Sequence, residues 1–167
     1  MIITAILTDA VFAAIAGIGF GAISNPPTRV FKYIGILAAL GHACRFCFME
    51  YADIDISSAS LAGSCVIGFV SLYFAWLSRV PRTVLFIPAL LPMIPGKFAY
   101  NTIFSLISFL QNMGEPGEKI QYLDLFLSNF LITFTTLACL AIGSILPMFL
   151  FPKIALSFTR EKNTPQG

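Results

Sequence analysis

Residues 87–100 read IPALLPMIPGKFAY, and three prolines and a glycine interrupt what is otherwise an apolar helix. An interior proline removes one helical hydrogen bond and leaves a backbone carbonyl without its partner. Lipid cannot satisfy that carbonyl, so such a break is tolerated only where protein or a wet cavity covers it. The stretch therefore predicts a membrane helix that is broken at Pro92 and Pro95-Gly96, with a second half-helix starting at Pro95-Gly96.

The composition of the whole chain agrees with a membrane setting. Of its 167 residues, 57% are hydrophobic and 11% are charged, and the mean hydropathy is +0.87. A soluble domain is usually about a quarter charged. The formal net charge of +2 gives no support for nucleic-acid binding, which needs clustered basic residues.

Five apolar segments divide the chain, each long enough to cross a hydrocarbon core of about 30 Å. They cover residues 2–24, 30–49, 56–78, 83–110 and 122–151. Residues 111–121 contain glycine and proline and are predicted to form the last loop. The pattern predicts an all-α, polytopic transmembrane helix bundle of about five spans. Residues 1–152 form the predicted membrane domain, and residues 153–167 a short polar cytoplasmic tail.

The loops between these segments alternate in charge, which gives the chain a predicted orientation. Acidic residues dominate the loops after the second and fourth segments, and basic residues follow the first, third and fifth. The basic positions are Arg29, Lys32, Arg79, Arg82, Lys153, Arg160 and Lys162. Because cytoplasmic loops are enriched in Lys and Arg, we expect the N-terminus outside and the C-terminus in the cytoplasm.

Small residues recur every four positions in two of the segments. They are Ala13, Gly17 and Gly21 in the first segment and Ser60, Ser64 and Gly68 in the third. Small side chains let helix backbones approach closely in lipid. The spacing predicts close helix packing at both stripes.

The four cysteines do not favour a redox or metal site. Cys44 and Cys47 have the CxxC spacing of such sites, but no second pair at metal-binding spacing exists, so we interpret them as small buried side chains. An intramembrane enzyme would need a nucleophile with a base, or a set of metal ligands. A single histidine and the lack of paired carboxylates within the membrane segments argue against an enzyme, and neither a cofactor nor a metal is predicted.

Polar residues at membrane depth are candidates for a substrate site, because a charge at the bilayer centre costs on the order of 3 kcal/mol. Asp9 and Arg45 have opposite charges at similar depth, and His42 shares a helix face with Arg45. Lys97 and Asn129 also lie in apolar segments. Structural alternatives stay open: an Asp9–Arg45 ion pair, a satisfied buried histidine, a lysine on a kinked packing helix and a helix-joining asparagine.

The functional hypothesis is a site for a carboxylate-bearing or otherwise anionic ligand near the middle of the membrane. The charge change of a histidine near neutral pH adds a proton-coupled step to that hypothesis. The predicted substrate-binding residues are Asp9, His42, Arg45, Pro95, Gly96, Lys97, Tyr100 and Asn129.

The run Gly41-His42-Ala43-Cys44-Arg45, the prolines 88, 92 and 95 with Gly96, Tyr100 and Asn129 together resemble the threonine/serine exporter family. The resemblance is to its small YjjB-type subunit, which corresponds to the C-terminal membrane half of single-chain exporters. It implies a larger YjjP-type membrane partner, a bacterial inner-membrane location, and export of threonine and serine or of a dicarboxylate such as succinate. Lys97 stands where the family pattern has an apolar residue, which favours a more anionic substrate.

Two functional classes remain open at this point. One is a subunit of a secondary transporter that works as a homo-oligomer or with the larger partner. The other is a structural or regulatory membrane subunit whose partner carries the pathway. A transporter subunit is expected to place His42, Lys97, Tyr100 and Asn129 around one polar cavity.

Overall fold

A computed structural model describes residues 2–112 and 116–151, and within these ranges the chain is helical and contains no strand. Short 3-10 turns lie at Thr28–Val30 and Leu91–Met93. The helices are α1 (Ile2–Ile23), α2 (Phe31–Tyr51), α3 (Ile56–Ser78), α4 (Thr83–Leu90), α5 (Gly96–Gln111) and α6 (Pro116–Leu150). The predicted all-α class is confirmed. The predicted tail, residues 153–167, lies outside the described residues.

The helices are long and apolar enough for the predicted crossings. Four of them, α1, α2, α3 and α6, satisfy the length and hydropathy of a membrane span on their own. The segments Thr83–Met93 and Gly96–Gln111 satisfy them together, as one broken span. The predicted count of about five spans is therefore confirmed. The fourth span is interrupted at the prolines, where the sequence predicted a break.

The break itself has the predicted position. Pro88 lies inside α4, Pro92 falls in the 3-10 turn, and α5 begins at Gly96 with Pro95 as its N-cap residue. The Gly96 N–H donates to the Ile94 carbonyl oxygen at 2.8 Å instead of continuing the helix. The stretch thus forms two half-helices joined by a tight turn.

The prediction of a loop over residues 111–121 was wrong at its C-terminal end. Helix α6 already begins at Pro116 and runs for 35 residues. Proline and glycine suggested a turn, but proline also fits the first position of a helix, where its missing N–H has no helical partner anyway. At a rise of 1.5 Å per residue, α6 is about 52 Å long, against about 30 Å for the hydrocarbon core.

Helix α3 has a capped N-terminus outside the predicted span. The Asp55 carboxylate accepts hydrogen bonds from the backbone N–H groups of Ser57 and Ser58, both at 3.0 Å. These bonds, those from Ser58 first, lower the pKa of the Asp55 carboxyl below its ordinary value. The charged cap explains why the predicted start of this segment coincides with the observed start.

The chain divides into two compact units. The first comprises Met1–Met93 with Cys139–Gly167, and the second comprises Ile94–Ala138. In the first unit α1 packs on α2, α2 on α3, and α4 on all three. Its core is apolar and fully buried, and its largest members are Ile34, Leu37, Ile67, Leu85 and Met93.

Within the first unit, glycines bring helix backbones together at two crossings. A Cβ added at Gly63 of α3 would lie 2.7 Å from the Gly41 carbonyl oxygen of α2. A Cβ added at Gly68 would lie 3.0 Å from the carbonyl oxygens of Gly143 and Ser144 of α6. The predicted small-residue stripe of the third segment therefore packs closely at Gly68.

Arg82 joins α3 to the C-terminal part of α6. Its Nε donates to Ser71 Oγ at 2.7 Å, and its Nη2 donates to the Gly68 carbonyl oxygen at 3.2 Å and to the Ser144 carbonyl oxygen. The guanidinium also lies 4.6 Å from the centre of the Phe86 ring. The sequence predicts that Arg82 lies in a cytoplasmic loop, where its charge helps to orient the chain. In the structure its side chain folds back and packs among the helices. Burial lowers the pKa of this guanidinium from its ordinary value.

We expect Gly63→Ala to lower stability by about 1–3 kcal/mol, because the new methyl group would overlap the Gly41 carbonyl. The measurement is thermal or SDS-induced unfolding in detergent micelles. Gly19→Ala is the matched control, since a Cβ there meets nothing within 4 Å. Equal unfolding transitions for the two variants would contradict the proposed crossing.

Arg82→Met should destabilise the chain by about 2 kcal/mol or more, because buried carbonyl groups would lose a charged donor. Arg79→Met is the control, since Arg79 is exposed in the same turn. The same unfolding assay compares the two variants. A loss of similar size at both positions would mean that the loop charge, rather than the packing of Arg82, determines stability.

Candidate functional site

A buried histidine and a half-exposed carboxylate meet between α1 and α2. His42 Nδ1 lies 3.1 Å from Asp9 Oδ2, with the histidine side chain 7% exposed and the aspartate side chain 36% exposed. The pairing is possible because α1 packs along α2. The direct partner of Asp9 is therefore His42 and not Arg45, the partner that the sequence suggested.

Arg45 lies one turn further along α2 and bonds to the broken helix. Its Nη1 donates to the Met93 carbonyl oxygen at 2.9 Å. In a continuous helix that oxygen would accept a hydrogen bond from the N–H group four residues later, but the helix is interrupted after Met93. Arg45 thus supplies a donor to a carbonyl that the break leaves without its helical partner.

The second nitrogen of the His42 ring has no hydrogen-bond partner. Nε2 is buried and makes no hydrogen bond among the described residues. The Pro92 backbone carbonyl acts on the ring as a hydrogen-bond acceptor, outside the geometry of a full hydrogen bond. A buried polar atom without a partner is uncommon in folded proteins, so Nε2 is available to a ligand or water.

Asp9, His42 and Arg45 form what we call the polar cluster, next to the 3-10 turn that ends at Met93. Asp9 and Arg45 interact electrostatically without a direct ion pair. The cluster therefore offers one carboxylate, one guanidinium and one imidazole with an unused nitrogen. Such a set can bind a small molecule that carries both charges.

The other predicted site residues belong to the second unit. Pro95 is buried as the N-cap of α5, and Gly96 and Lys97 are exposed. Tyr100 is also exposed and stacks on Phe104, with ring centres 6.2 Å apart. The structure brings Asp9, His42 and Arg45 together, and the single polar cavity that would also hold Lys97, Tyr100 and Asn129 stays a prediction.

Asn129 is half-buried on α6. Its Nδ2 donates to the Leu125 carbonyl oxygen of the same helix at 2.6 Å. The side-chain oxygen keeps its acceptor capacity. The amide NH2 group of Asn129 thus bonds to its own helix, and the amide oxygen can accept a hydrogen bond from another partner.

Within residues 2–112 and 116–151, no group of three or more His, Cys, Asp or Glu side chains could hold a metal ion. Cys44, Cys47, Cys65 and Cys139 are free thiols and half-buried. Their burial fits the interpretation of the CxxC pair as packing residues.

A model of the family described as "Threonine/Serine exporter, ThrE" matches residues 9–150. The chain belongs to this family. The matched range includes the polar cluster, the broken helix and most of α6. The family of the predicted resemblance is thereby confirmed.

A relative from Haemophilus influenzae, described as an uncharacterized protein, is 32% identical over 146 residues. The match covers 87% of this chain and 48% of the relative. The chain thus spans about half the length of the curated relative it matches. No solved structure matches the chain.

One feature of α5 was missed in the sequence. Asn101, Ser105, Ser108 and Asn112 are spaced so that all four lie on one face of the helix. The apolar character of the segment as a whole hid this pattern. A search for polar residues at helical spacing would have found it.

We expect Asp9→Asn and Arg45→Gln to be coupled in stability. Each single variant leaves one charge of the polar cluster without its opposite. The loss of unfolding free energy in the double variant should therefore be smaller, by about 1 kcal/mol, than the sum of the losses in the two single variants. Unfolding in micelles measures the double-mutant cycle. Asp124→Asn is the control carboxylate, exposed on α6, and its effect should add simply to that of Arg45→Gln. Additivity in both cycles would contradict the electrostatic link.

Proposed function

We propose that the chain is a membrane subunit of an exporter for small metabolites of the threonine and serine type. The observation that carries this proposal is the polar cluster: a carboxylate and a guanidinium of opposite charge meet a buried histidine next to a broken membrane helix. Intramembrane ionisable residues mark substrate pathways by default. Broken helices in transporters provide binding groups near the bilayer midplane.

The charges of the polar cluster match a zwitterionic amino acid. The Asp9 carboxylate can pair with the ammonium group of such a substrate, and Arg45 with its carboxylate. The unused His42 Nε2 can bond to the carboxylate or to a side-chain hydroxyl. Threonine and serine carry all three groups, and the family description names both.

A dicarboxylate such as succinate is the second candidate substrate, and Lys97 favours it. Lys97 lies in the first turn of α5, where the helix N-terminus already attracts negative charge. The lysine is exposed in the isolated chain. A carboxylate is the kind of group that such a cation binds.

The assembly that we propose has more than one chain. Five crossings are few for a complete alternating-access pathway, and the relative is about twice as long as this chain. A larger YjjP-type membrane subunit would supply the remaining half, in a bacterial inner membrane with the N-terminus outside and the C-terminus in the cytoplasm. Self-association into a homo-oligomer is the other arrangement.

We expect efflux of labelled threonine from cells that express this chain with the larger subunit to fall at least about tenfold in the Asp9→Asn variant, a loss of 1.4 kcal/mol or more in substrate interaction. Asp124→Asn is the matched control and should export normally. Efflux of labelled succinate is measured in parallel, with Lys97→Met as the second variant.

The two substrates give opposite patterns in this assay. Loss of threonine efflux in Asp9→Asn with normal export in Lys97→Met supports the amino-acid exporter. Loss of succinate efflux in Lys97→Met, with no threonine efflux in any strain, supports the dicarboxylate. Export that is unchanged when this chain is deleted would overturn the transport function and leave a regulatory subunit.

A further inference from the structure

The turn between the two half-helices leaves two consecutive carbonyl groups without helical donors. The N–H group three residues after Pro92 would belong to Pro95, which has none. Four residues after Pro92, the Gly96 N–H donates to the Ile94 carbonyl oxygen instead, at 2.8 Å. Met93 is the next residue, and the helix is interrupted after it. Because lipid offers no hydrogen bond, each of these two carbonyl oxygens needs a donor from elsewhere in the protein.

Two donors on α2 lie beside these two carbonyl groups. Arg45 Nη1 donates to the Met93 carbonyl oxygen at 2.9 Å. The Pro92 carbonyl acts on the His42 ring as a hydrogen-bond acceptor, but outside the geometry of a full hydrogen bond. His42 and Arg45 are three positions apart, so they share a face of the helix. The Pro92 carbonyl therefore has a candidate donor with which it makes no full hydrogen bond.

The contact of the ring with Asp9 explains why this bond is not made. His42 Nδ1 lies 3.1 Å from Asp9 Oδ2, and an ionised carboxylate can only accept hydrogen bonds. Nδ1 therefore carries the proton of the neutral ring, which makes Nε2 an acceptor. Two acceptors cannot bond to each other, so Nε2 has no partner although it is buried. An unpaired polar atom inside the protein costs free energy.

A second proton on the ring would remove this cost, since both nitrogens of an imidazolium are donors. The surroundings of the ring act on this proton in opposite directions. The Asp9 charge on α1 favours it, whereas burial and the Arg45 charge on α2 oppose it. Among the described residues, α3 and α4 add no charged group that acts on the ring. Such opposition suits a proton that binds and leaves rather than one that is held permanently.

We propose that His42 is a proton-binding site and that its proton latches the turn of the broken helix. The Nε2 lone pair accepts a proton from hydronium, the ring gains one positive charge, and the new Nε2–H donates to the Pro92 carbonyl oxygen. Nδ1–H keeps its bond to Asp9. His42 and Arg45 then hold the carbonyl groups of Pro92 and Met93 to α2, whereas in the neutral state Arg45 holds the turn alone. The latch does not depend on which solute the chain transports.

The test uses the fact that His42 is the single histidine of the chain. Histidine labelled with ¹⁵N therefore reports on this ring alone, provided that the purification tag contains no histidine. The full chain is labelled with ¹⁵N-histidine and with ¹³C at the proline carbonyls, and it is reconstituted in lipid bilayers. Solid-state NMR then measures the protonation of each ring nitrogen. The ¹⁵N–¹³C dipolar coupling measures how closely Nε2 approaches a proline carbonyl.

We expect Nδ1 to be protonated and Nε2 to be unprotonated at about pH 8, and both to be protonated after acidification to about pH 5. The coupling of Nε2 to a proline carbonyl should strengthen together with this second protonation. Asp9→Asn should move the midpoint of the second protonation about one pH unit lower, an about tenfold weaker proton binding, because the ring loses its anionic partner.

Two proline variants identify the carbonyl that gives the coupling. Pro92→Ala keeps the backbone carbonyl but removes its ¹³C label, so the coupling should vanish while the titration of the ring persists. Pro147→Ala removes a labelled proline of α6, and the coupling should be unchanged.

A ring that stays neutral over the whole pH range in which the chain is folded would overturn the latch. A second protonation without a stronger coupling, or a neutral ring that carries its proton on Nε2, would overturn it as well. None of these measurements needs transport. The latch can therefore fail in a chain whose Asp9→Asn variant still loses threonine efflux, and the export function can fail while the latch is intact.

Discussion

Lipid offers no hydrogen bonds, and the architecture depends on how the protein meets that constraint where its helices are broken. A backbone carbonyl that loses its helical partner needs another donor inside the protein. In the first unit the fourth crossing loses its helical continuity after Met93, and Arg45 reaches across from α2 to donate to that carbonyl. Gly63 of α3 lies against both residues of this bond, since a Cβ there would be 2.7 Å from Met93 Cε and 3.4 Å from Arg45 Cβ.

A second arginine, Arg82, also donates to backbone carbonyls near a proline. Pro147 lies inside α6, where its ring removes a helical hydrogen bond. The carbonyl that loses its partner there is that of Gly143, four residues earlier. Arg82 donates to the neighbouring Ser144 carbonyl and to the Gly68 carbonyl of α3, so it lies beside the break without replacing the lost bond. Both arginines thus combine a charge that is costly in an apolar setting with backbone acceptors at a proline. The difference between them is their neighbours: Arg45 has Asp9 and His42 beside it, and Arg82 has serine and phenylalanine.

The sequence determined more of the fold than of the site. The bounds of α3 and the break at Pro95-Gly96 could be predicted because local rules govern them: an aspartate cap, and prolines that cannot donate. The start of α6 could not, because proline and glycine signal both a turn and a helix start. The contact of His42 with Asp9 depends on how α1 is rotated about its axis relative to α2. The sequence gives the depth of each residue along its helix, but it does not give this rotation. Arg82 was misjudged for a related reason, since a long side chain in a loop can extend into water or fold back on the helices.

The length of α6 has a mechanical consequence. Its 35 residues exceed the hydrocarbon core by about 20 Å, more than the usual tilt of about 20° can absorb. The charged residues Glu118, Lys119 and Asp124 lie in the first turns of α6, so the length of the helix favours an extension of these turns beyond the hydrocarbon core. The Lys119 ammonium lies 5.7 Å from the centre of the Phe109 ring, and this contact joins the first turns of α6 to α5. The charged turns at the start of α6 are thus held by a helical backbone and by a neighbouring ring, so they keep a fixed direction where a loop would not.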